Sequence, residues 1–406
     1  MKSSPSRITY VVRDIERALG LTPSADYHIV SNATPFSEEV QKRYPEHVTL
    51  ITHPEGHSHG TAALLEHPDV IRILPHGSKI LVFKNTANIE TIVAAHGWHL
   101  LNPSAAVAER VENKISQVSW LGDLGTKYLP QHHIGPAKDL TWAGEPFILQ
   151  WGHGHSGEGT LHITAEKELE ALKHKFPERL GRTSTFVRGP SFTVNAVVAD
   201  DKTLVGNISY QITGMSPFTD GTFTTIGNDW SLTHSLLDDT EISLVETITR
   251  DIGSKLAATG WRGLFGVDLM RDDELDTLHL IEINARQPAS TTFESFLQNE
   301  NRLHGVVGMT IFEAHLAALA GEKIDQPLIP LNDGAQVIQR VTAKIRSVNE
   351  DALGSLGLAG YITIAYPNTE LNADLVRIQS LQSIMETHGK FNGRGKEISE
   401  MVSTGN

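Results

Sequence analysis

The chain has 406 residues, more than one ordinary hydrophobic core spans, so two or three domains are expected. A formal net charge of −14 argues against a general nucleic-acid binder, and the absence of cysteine excludes disulfides, thiolate nucleophiles and cysteine-based metal sites. No apolar run approaches the roughly 20 residues of a membrane helix, and no signal-peptide core follows Met1; no membrane association is expected, and the cytoplasm is the expected location.

The first hundred residues alternate short apolar runs with helical or loop segments. Residues 8–12, 27–30, 48–51, 70–74 and 79–83 read as strands of a small parallel α/β domain. No Gly-x-Gly-x-x-Gly fingerprint accompanies them, so dinucleotide binding is not supported. His53, His57, His59 and His67 lie among Pro54, Gly56, Ser58 and Gly60, which reads as a polar surface loop rather than a metal site. Residues 88–97 read as a helix, 98–102 as a strand, and 105–120 as a longer helix carrying Glu112-Asn113-Lys114.

A strand over 146–150 leads into a stretch where Gly152, Gly154, Gly157 and Gly159 recur at every second or third position. Such a loop exposes backbone N–H groups and forms a nest for anions, phosphates especially; the plain alternative is a glycine-rich turn. Strands are expected over 184–188 and 192–199, joined at Gly189-Pro190, and over 204–211. Residues 236–259 read as a helix ending at Gly260.

The most informative segment follows. Gly266-Val267-Asp268-Leu269-Met270 and Leu280-Ile281-Glu282-Ile283-Asn284-Ala285-Arg286 alternate polar and apolar residues, the pattern of half-buried strands. Successive strand side chains point to opposite faces, so Glu282, Asn284 and Arg286 share one face. If the polar loop between is centred on Leu275, Asp268 falls opposite Glu282 with Cβ atoms about 5 Å apart. Carboxylates that close repel unless a proton or cation intervenes, and such oxygen ligands suit Mg²⁺, with Mn²⁺ as a substitute. The plain alternative is the solvated face of a sheet. Beyond the hairpin, residues 301–321 read as a helix; after Pro327 and Pro330, residues 336–345 and 361–365 read as strands and 372–388 as a helix, together a small C-terminal α+β module.

In this order the pieces resemble the ATP-grasp superfamily over roughly residues 100–325. Glu112-Asn113-Lys114 resembles the lysine-bearing entry to the grasp domain, residues 147–160 the strand and glycine loop over the phosphates, Thr185-Phe186-Val187-Arg188-Gly189 the adenine-binding strand, and the acidic hairpin the metal site. The resemblance implies a mixed α/β and α+β fold: an N-terminal α/β domain over 1–100, an ATP-grasp domain over 101–325 with a lid at about 146–210, and the C-terminal module over 326–406. It implies that Asp268, Glu282 and Asn284 hold Mg²⁺ and that Lys114 and Arg286 handle phosphate charge. Gln150, His153, Gly154, His155, Ser156, Gly157, Gly159, Thr185, Phe186 and Val187 would contact ATP, and Gln211, Arg286 and Ser290 would neighbour the substrate. One departure matters: Gln150 stands where many members carry a lysine, and it brings no charge.

The expected activity is an ATP-dependent, ADP-forming ligase that joins a small carboxylic acid to an amine through an acyl phosphate. Its partners would be small-molecule carboxylate and amine substrates; homo-oligomerisation is left open. The alternatives are ATP-driven carboxylation or phosphotransfer, a catalytically weak regulator that binds nucleotide or metabolite, and an unrelated α/β protein with an acidic surface hairpin.

Overall fold

Five short apolar runs, Ile8–Val11 (β1), Tyr27–Asn32 (β2), Val48–Ile51 (β3), Lys79–Val82 (β4) and His99–Leu100 (β5), pair in parallel in the order β3-β2-β1-β4-β5. Every residue of β2 is buried, as a parallel strand covered on both faces requires. The order reverses direction between β1 and β4, which creates a crevice at the carboxyl ends of these two strands. The computed structural model describes residues 7–52, 58–152, 159–200 and 202–404.

One expected strand of this domain is a helix. Residues 70–74 belong to Pro68–Ile73, which His67 caps by accepting from the Asp69 N–H, with Pro68 in the first turn. The buried residues are Val70 and Leu74, four apart, while Ile71 and Ile73 face solvent; the period is helical despite the apolar content. His53 and His57 lie outside the described residues, and the His59 and His67 rings pack against each other at 5.8 Å.

A second, antiparallel sheet contains His132–Pro136 (β6), Phe147–Trp151 (β7), Thr160–Ile163 (β8) and Leu180–Thr185 (β9), in the order β6-β9-β7-β8. Its strands span residues 132–185, with Glu166–Lys175 as its helix. The strand expected over 184–188 instead ends at Thr185, and Phe186–Pro190 form the connection to the third sheet.

That third sheet has eight strands: Ser191–Val198 (β10), Thr203–Thr213 (β11), Thr225–Asp229 (β12), Gly263–Asp272 (β13), Thr277–Asn284 (β14), Ala335–Arg340 (β15), Ile362–Ala365 (β16) and Asp374–Ser380 (β17). They run in the order β14-β13-β10-β11-β12-β15-β17-β16, all antiparallel, so the strands after Pro330 extend the sheet that carries the acidic hairpin. Residues 372–388 are therefore not a helix: β17 and a short strand at Met385–Thr387 lie in that segment, and Leu375, Val376, Arg377 and Ile378 in succession are buried on both faces. The C-terminal helices are Glu350–Leu358 and Gly393–Thr404. The segment expected as one helix over 301–321 breaks at Gly305 and Gly308, both at positive φ, between helices Thr291–Leu303 and Ile311–Ala320.

One face of the large sheet packs against helix Asp239–Ala257, where Val245, Ile248, Ile252 and Leu256 join Phe192, Val194, Val267 and Ile283 in the largest core cluster. Apolar positions three or four apart on the helix meet alternate positions on the strands. The other face packs at one end on helix Ile311–Ala320 through Val197 and Leu264, and elsewhere carries Thr193, Gln211 and Asp268, which line a cavity.

Candidate active site

The hairpin β13–β14 places Asp268 directly opposite Glu282, the pairing that alternation anticipated. The route to that register is less simple than a symmetric loop. The tight turn closes between Asp272 and Thr277, and a bulge at Ile281 restores Asp268 to Glu282. Asn284 Nδ2 donates to Asp268 Oδ2 at 3.0 Å, and Thr193 Oγ1 and Gln211 Nε2 each donate to Asp268 Oδ1 at 2.8 Å. Gln211, expected beside the substrate, is thus a neighbour of Asp268, one of the expected metal ligands.

The two carboxylates differ in character. Burial, followed by the adjacent Glu282 charge, raises the Asp268 carboxyl to about 6. Burial would also raise Glu282, but Lys114, Arg286 and Arg182 prevail and hold it below its ordinary value. Lys114 Nζ lies 2.5 Å from Glu282 Oε1.

Lys114 reaches that position because the helix expected over 105–120 is broken. It ends at Glu112, and a second helix starts at Ser116. Asn113 Oδ1 accepts from the N–H groups of Ile115 at 3.0 Å and Ser116 at 3.3 Å, offering the backbone a turn in place of continued helix. Lys114 N–H then donates to Gly152 O at 3.0 Å, tying this turn to the end of β7. Arg286 donates to Glu112, whose other oxygen accepts from Lys84 Nζ at 2.6 Å, so the N-terminal sheet helps to position Arg286.

A cation that sequence reading missed completes the set. Arg182 on β9 stands directly opposite Gln150 on β7, and only 4% of it is exposed. Its Nη2 and Nε donate to Gln150 Oε1 at 2.5 and 3.2 Å, and Nη2 also faces Ile281 O at 3.4 Å. Burial lowers the guanidinium pKa to about 10, against the opposing pull of Glu282, so Arg182 remains charged at neutral pH. The Gln150 amide is thus fully engaged, its oxygen by Arg182 and its Nε2 donating to Thr160 Oγ1 at 3.3 Å.

These groups line a cavity of about 960 Å³ between the two antiparallel sheets, large enough for a nucleotide. Its apolar wall includes Leu129, Ile148, Phe186, Val187 and Leu280. The His162 ring packs on Phe186 at 4.1 Å and meets Phe223 edge-on, an aromatic cluster on the lid side that no motif announced. Thr185 lies exposed at the end of β9, and its N–H donates to Gln131 O. Gly159, at φ 91°, accepts from Trp151 N–H at the base of the glycine loop. His153, Gly154, His155, Ser156 and Gly157 lie outside the described residues.

Ser290 lines the same cavity, and its hydroxyl pairs with the Asn195 carboxamide at 3.0 to 3.2 Å. Asn195 in turn donates to Glu294 at 2.6 Å, and Asn207 donates to the other Glu294 oxygen from both its backbone and its side chain. Glu294 is fully buried, and burial outweighs these donors and raises its carboxyl to about 7. The unfolded chain releases this proton near pH 4.5 and the folded chain near 7, so the native state binds more protons in between. Stability is expected to fall by about 3 kcal/mol from this group as pH rises from 4.5 to 7 and then to level off. Urea unfolding of Glu294→Gln across that range should show a correspondingly shallower fall than the parent protein.

The candidate metal-binding set is two carboxylates and a carboxamide. Among the described residues no three His, Asp or Glu side chains converge on one point, so no closed protein cage exists. The set fits Mg²⁺, which takes one or two carboxylates and completes its shell with phosphate oxygens and water. Burial and the Glu282 charge together lift Asp268, and a divalent ion would offset both.

Residues 111–290 match the model of the ATP-grasp domain. Among solved structures, the chain is similar to a carboxyaminoimidazole ribonucleotide synthase from Aspergillus clavatus complexed with ATP, at TM-score 0.65 and 13% identity over 99% of each chain. It is similar to a phosphoribosylamine–glycine ligase from Thermotoga maritima at TM-score 0.62 and 13% identity, over 97% of this chain and 96% of that one. An L-amino acid ligase from Bacillus licheniformis matches at TM-score 0.61 and 15% identity, over 99% and 98%. At these identities the likeness is one of fold. No curated protein matches the chain in sequence.

Proposed function

Because residues 111–290 form an ATP-grasp domain, we propose that the protein is an ATP-dependent, ADP-forming ligase that joins a small carboxylic acid to an amine. The observation that carries this reading is the opposed pair Asp268 and Glu282, with Asn284 beside them and Arg182 and Arg286 near them, on the floor of a nucleotide-sized cavity, with the buried Lys114 ammonium paired to Glu282. Phosphoryl transfer needs in-line positioning and charge neutralisation more than covalent help from the protein, and this is what such residues supply.

In the proposed reaction a substrate carboxylate oxygen attacks the γ-phosphorus, the bond to the β-γ bridging oxygen breaks, and ADP leaves with the bond electrons. The amine then attacks the carbonyl carbon of the acyl phosphate. Inorganic phosphate departs, and the amine proton passes to solvent or to a neighbouring base. Asp268, Glu282 and Asn284 would hold Mg²⁺, or Mn²⁺, which neutralises charge on the β- and γ-phosphates. Lys114 and Arg182 bring positive charge to the phosphates from two directions, Lys114 as a point charge and Arg182 as a fork. Phe186 and Val187 offer the apolar surface on which a purine ring would rest. A cytoplasmic setting accords with ATP use and with the absence of cysteine.

The glutamine at 150 had favoured a weak regulator. Arg182 answers that objection, because a buried cation on the neighbouring strand occupies the place beside it. ADP release is the direct test, measured with Mg²⁺-ATP over a panel of amino acids and small carboxylic acids. Acid- and amine-dependent ADP formation is the expected result. Tight MgATP binding with no ADP across the panel would support the regulator instead.

A further inference from the structure

The cavity extends past the phosphate cations to the N-terminal domain. Beyond Asp268 and Glu282 its lining includes four arginines, Arg17, Arg286, Arg340 and Arg377, and one further carboxylate, that of Asp374. One run of contacts joins them. Arg17 Nη1 donates to Ala289 O at 3.0 Å, three residues beyond Arg286, and its Nε lies 3.6 Å from Glu16. Glu16 accepts from the Tyr366 hydroxyl at 2.7 Å, and that hydroxyl accepts from Arg377 Nε at 3.1 Å. Arg377 and Arg340 share Asp374, at 3.6 and 3.2 Å.

This concentration of cations runs against the composition of the chain, which has 48 acidic and 34 basic residues. It also occurs in a poorly hydrated place, since Arg377 is 2% and Arg340 8% exposed. Glu16 and Glu112 offset Arg17 and Arg286 from behind, and neither lines the cavity. Among the described residues, Arg377 Nη2 and Arg340 Nε find no hydrogen-bond acceptor, so the pair has more donor capacity than the protein fills. Topology points to the same place. Arg17 follows β1 and Lys84 follows β4, and the carboxyl ends of those strands flank the reversal in strand order, the position where open α/β sheets bind ligands.

We propose that this end of the cavity seats an anionic group, a carboxylate or a phosphate, which the substrate carries at a distance from the atom that reacts. Arg17, Arg286 and Arg340 would meet the group, and Arg377, held by Tyr366 and Gln336, would support them from within the sheet. The proposal deepens the ligase reading and rests on it: the hairpin and lid hold the nucleotide, and the arginine end selects acids or amines that bear a second negative charge.

The test uses the full chain and separates the two readings. Calorimetric binding of MgADP is measured first and addresses the nucleotide site alone. With MgADP saturating, inorganic phosphate and succinate are then titrated into the parent protein, Arg340→Gln and Arg377→Gln. One of the two anions is expected to bind at a single site, and its affinity is expected to fall about tenfold or more in each variant while MgADP affinity, the check on folding, is unchanged. Preference for succinate identifies a carboxylate, and preference for phosphate identifies a phosphate ester. Should Arg377→Gln not fold, Arg340→Gln and a selenate soak of parent crystals decide the matter, selenium density being expected beside Arg340. Binding of neither anion to the parent, or equal binding to parent and variants, overturns the subsite and leaves the nucleotide reading standing. Failure of MgADP to bind overturns the ligase reading instead.

Discussion

Glu282→Gln is expected to lower ADP formation about 10³-fold or more, because it removes the carboxylate that is ionised before any ion arrives. Its neighbours make the assignment specific. Asp268 sits near 6 because burial and Glu282 both disfavour its charge, whereas Glu282 is held low by three cations. Of the pair, Glu282 is therefore the more firmly ionised, and Asp268 is the one whose charge a bound cation would stabilise further. The substitution also leaves Lys114 buried without its partner, which destabilises a fold by a few kcal/mol in such settings. The double variant Lys114→Met/Glu282→Gln separates the effects. It should recover the lost thermal stability and remain inactive, since removing both charges cures the unpaired ammonium but restores no metal ligand. Steady-state ADP release and calorimetry for Mg²⁺-ATP check both statements. Activity within threefold of the parent in Glu282→Gln would remove Glu282 from the metal site.

The hairpin was legible because its signal is local. Alternation over seven residues settles which side chains share a face, and a short polar loop nearly settles the register. The bulge at Ile281 was not legible, yet it left Asp268 opposite Glu282 because a shorter turn compensated for it. The helix at 68–73 and the strand at 374–380 were misread because runs this short, interrupted by Arg72 and Arg377, carry too few positions to fix a period, and the partners that bury them are remote in sequence. The break at Asn113 had a readable cue, a side chain able to accept from the next backbone N–H groups, in a sequence that otherwise looked continuously helical. The arginines at the far end of the cavity come from a turn after β1, a loop after β14 and two strands of the large sheet. No spacing in the sequence joins them; the sheet order does.

Arg182 belongs to the same class of hidden residue, and the largest remaining prediction concerns it. Strands β7 and β9 are separated in sequence by β8 and a helix, so only the antiparallel pairing brings Arg182 opposite Gln150. Side chains directly opposed on paired strands have Cβ atoms about 5 Å apart and serve nearly the same point above the sheet. A cation needed there can thus be supplied from either strand. Arg182→Met is expected to lower kcat/KM for MgATP about 10²-fold, through loss of a buried charge at the proposed phosphate site and of the partner that holds the Gln150 amide. The exchange variant Gln150→Lys/Arg182→Gln returns the charge to the opposite strand. It should regain most of that loss, whereas Gln150→Lys alone, with two cations forced together, should not exceed the parent. If Arg182 only braces the lid, the exchange will restore nothing, because lysine at 150 cannot reproduce the bonds to Gln150 Oε1 and Ile281 O. Recovery in the exchange therefore depends on the charge itself, and kcat/KM measured across the four proteins reads it directly.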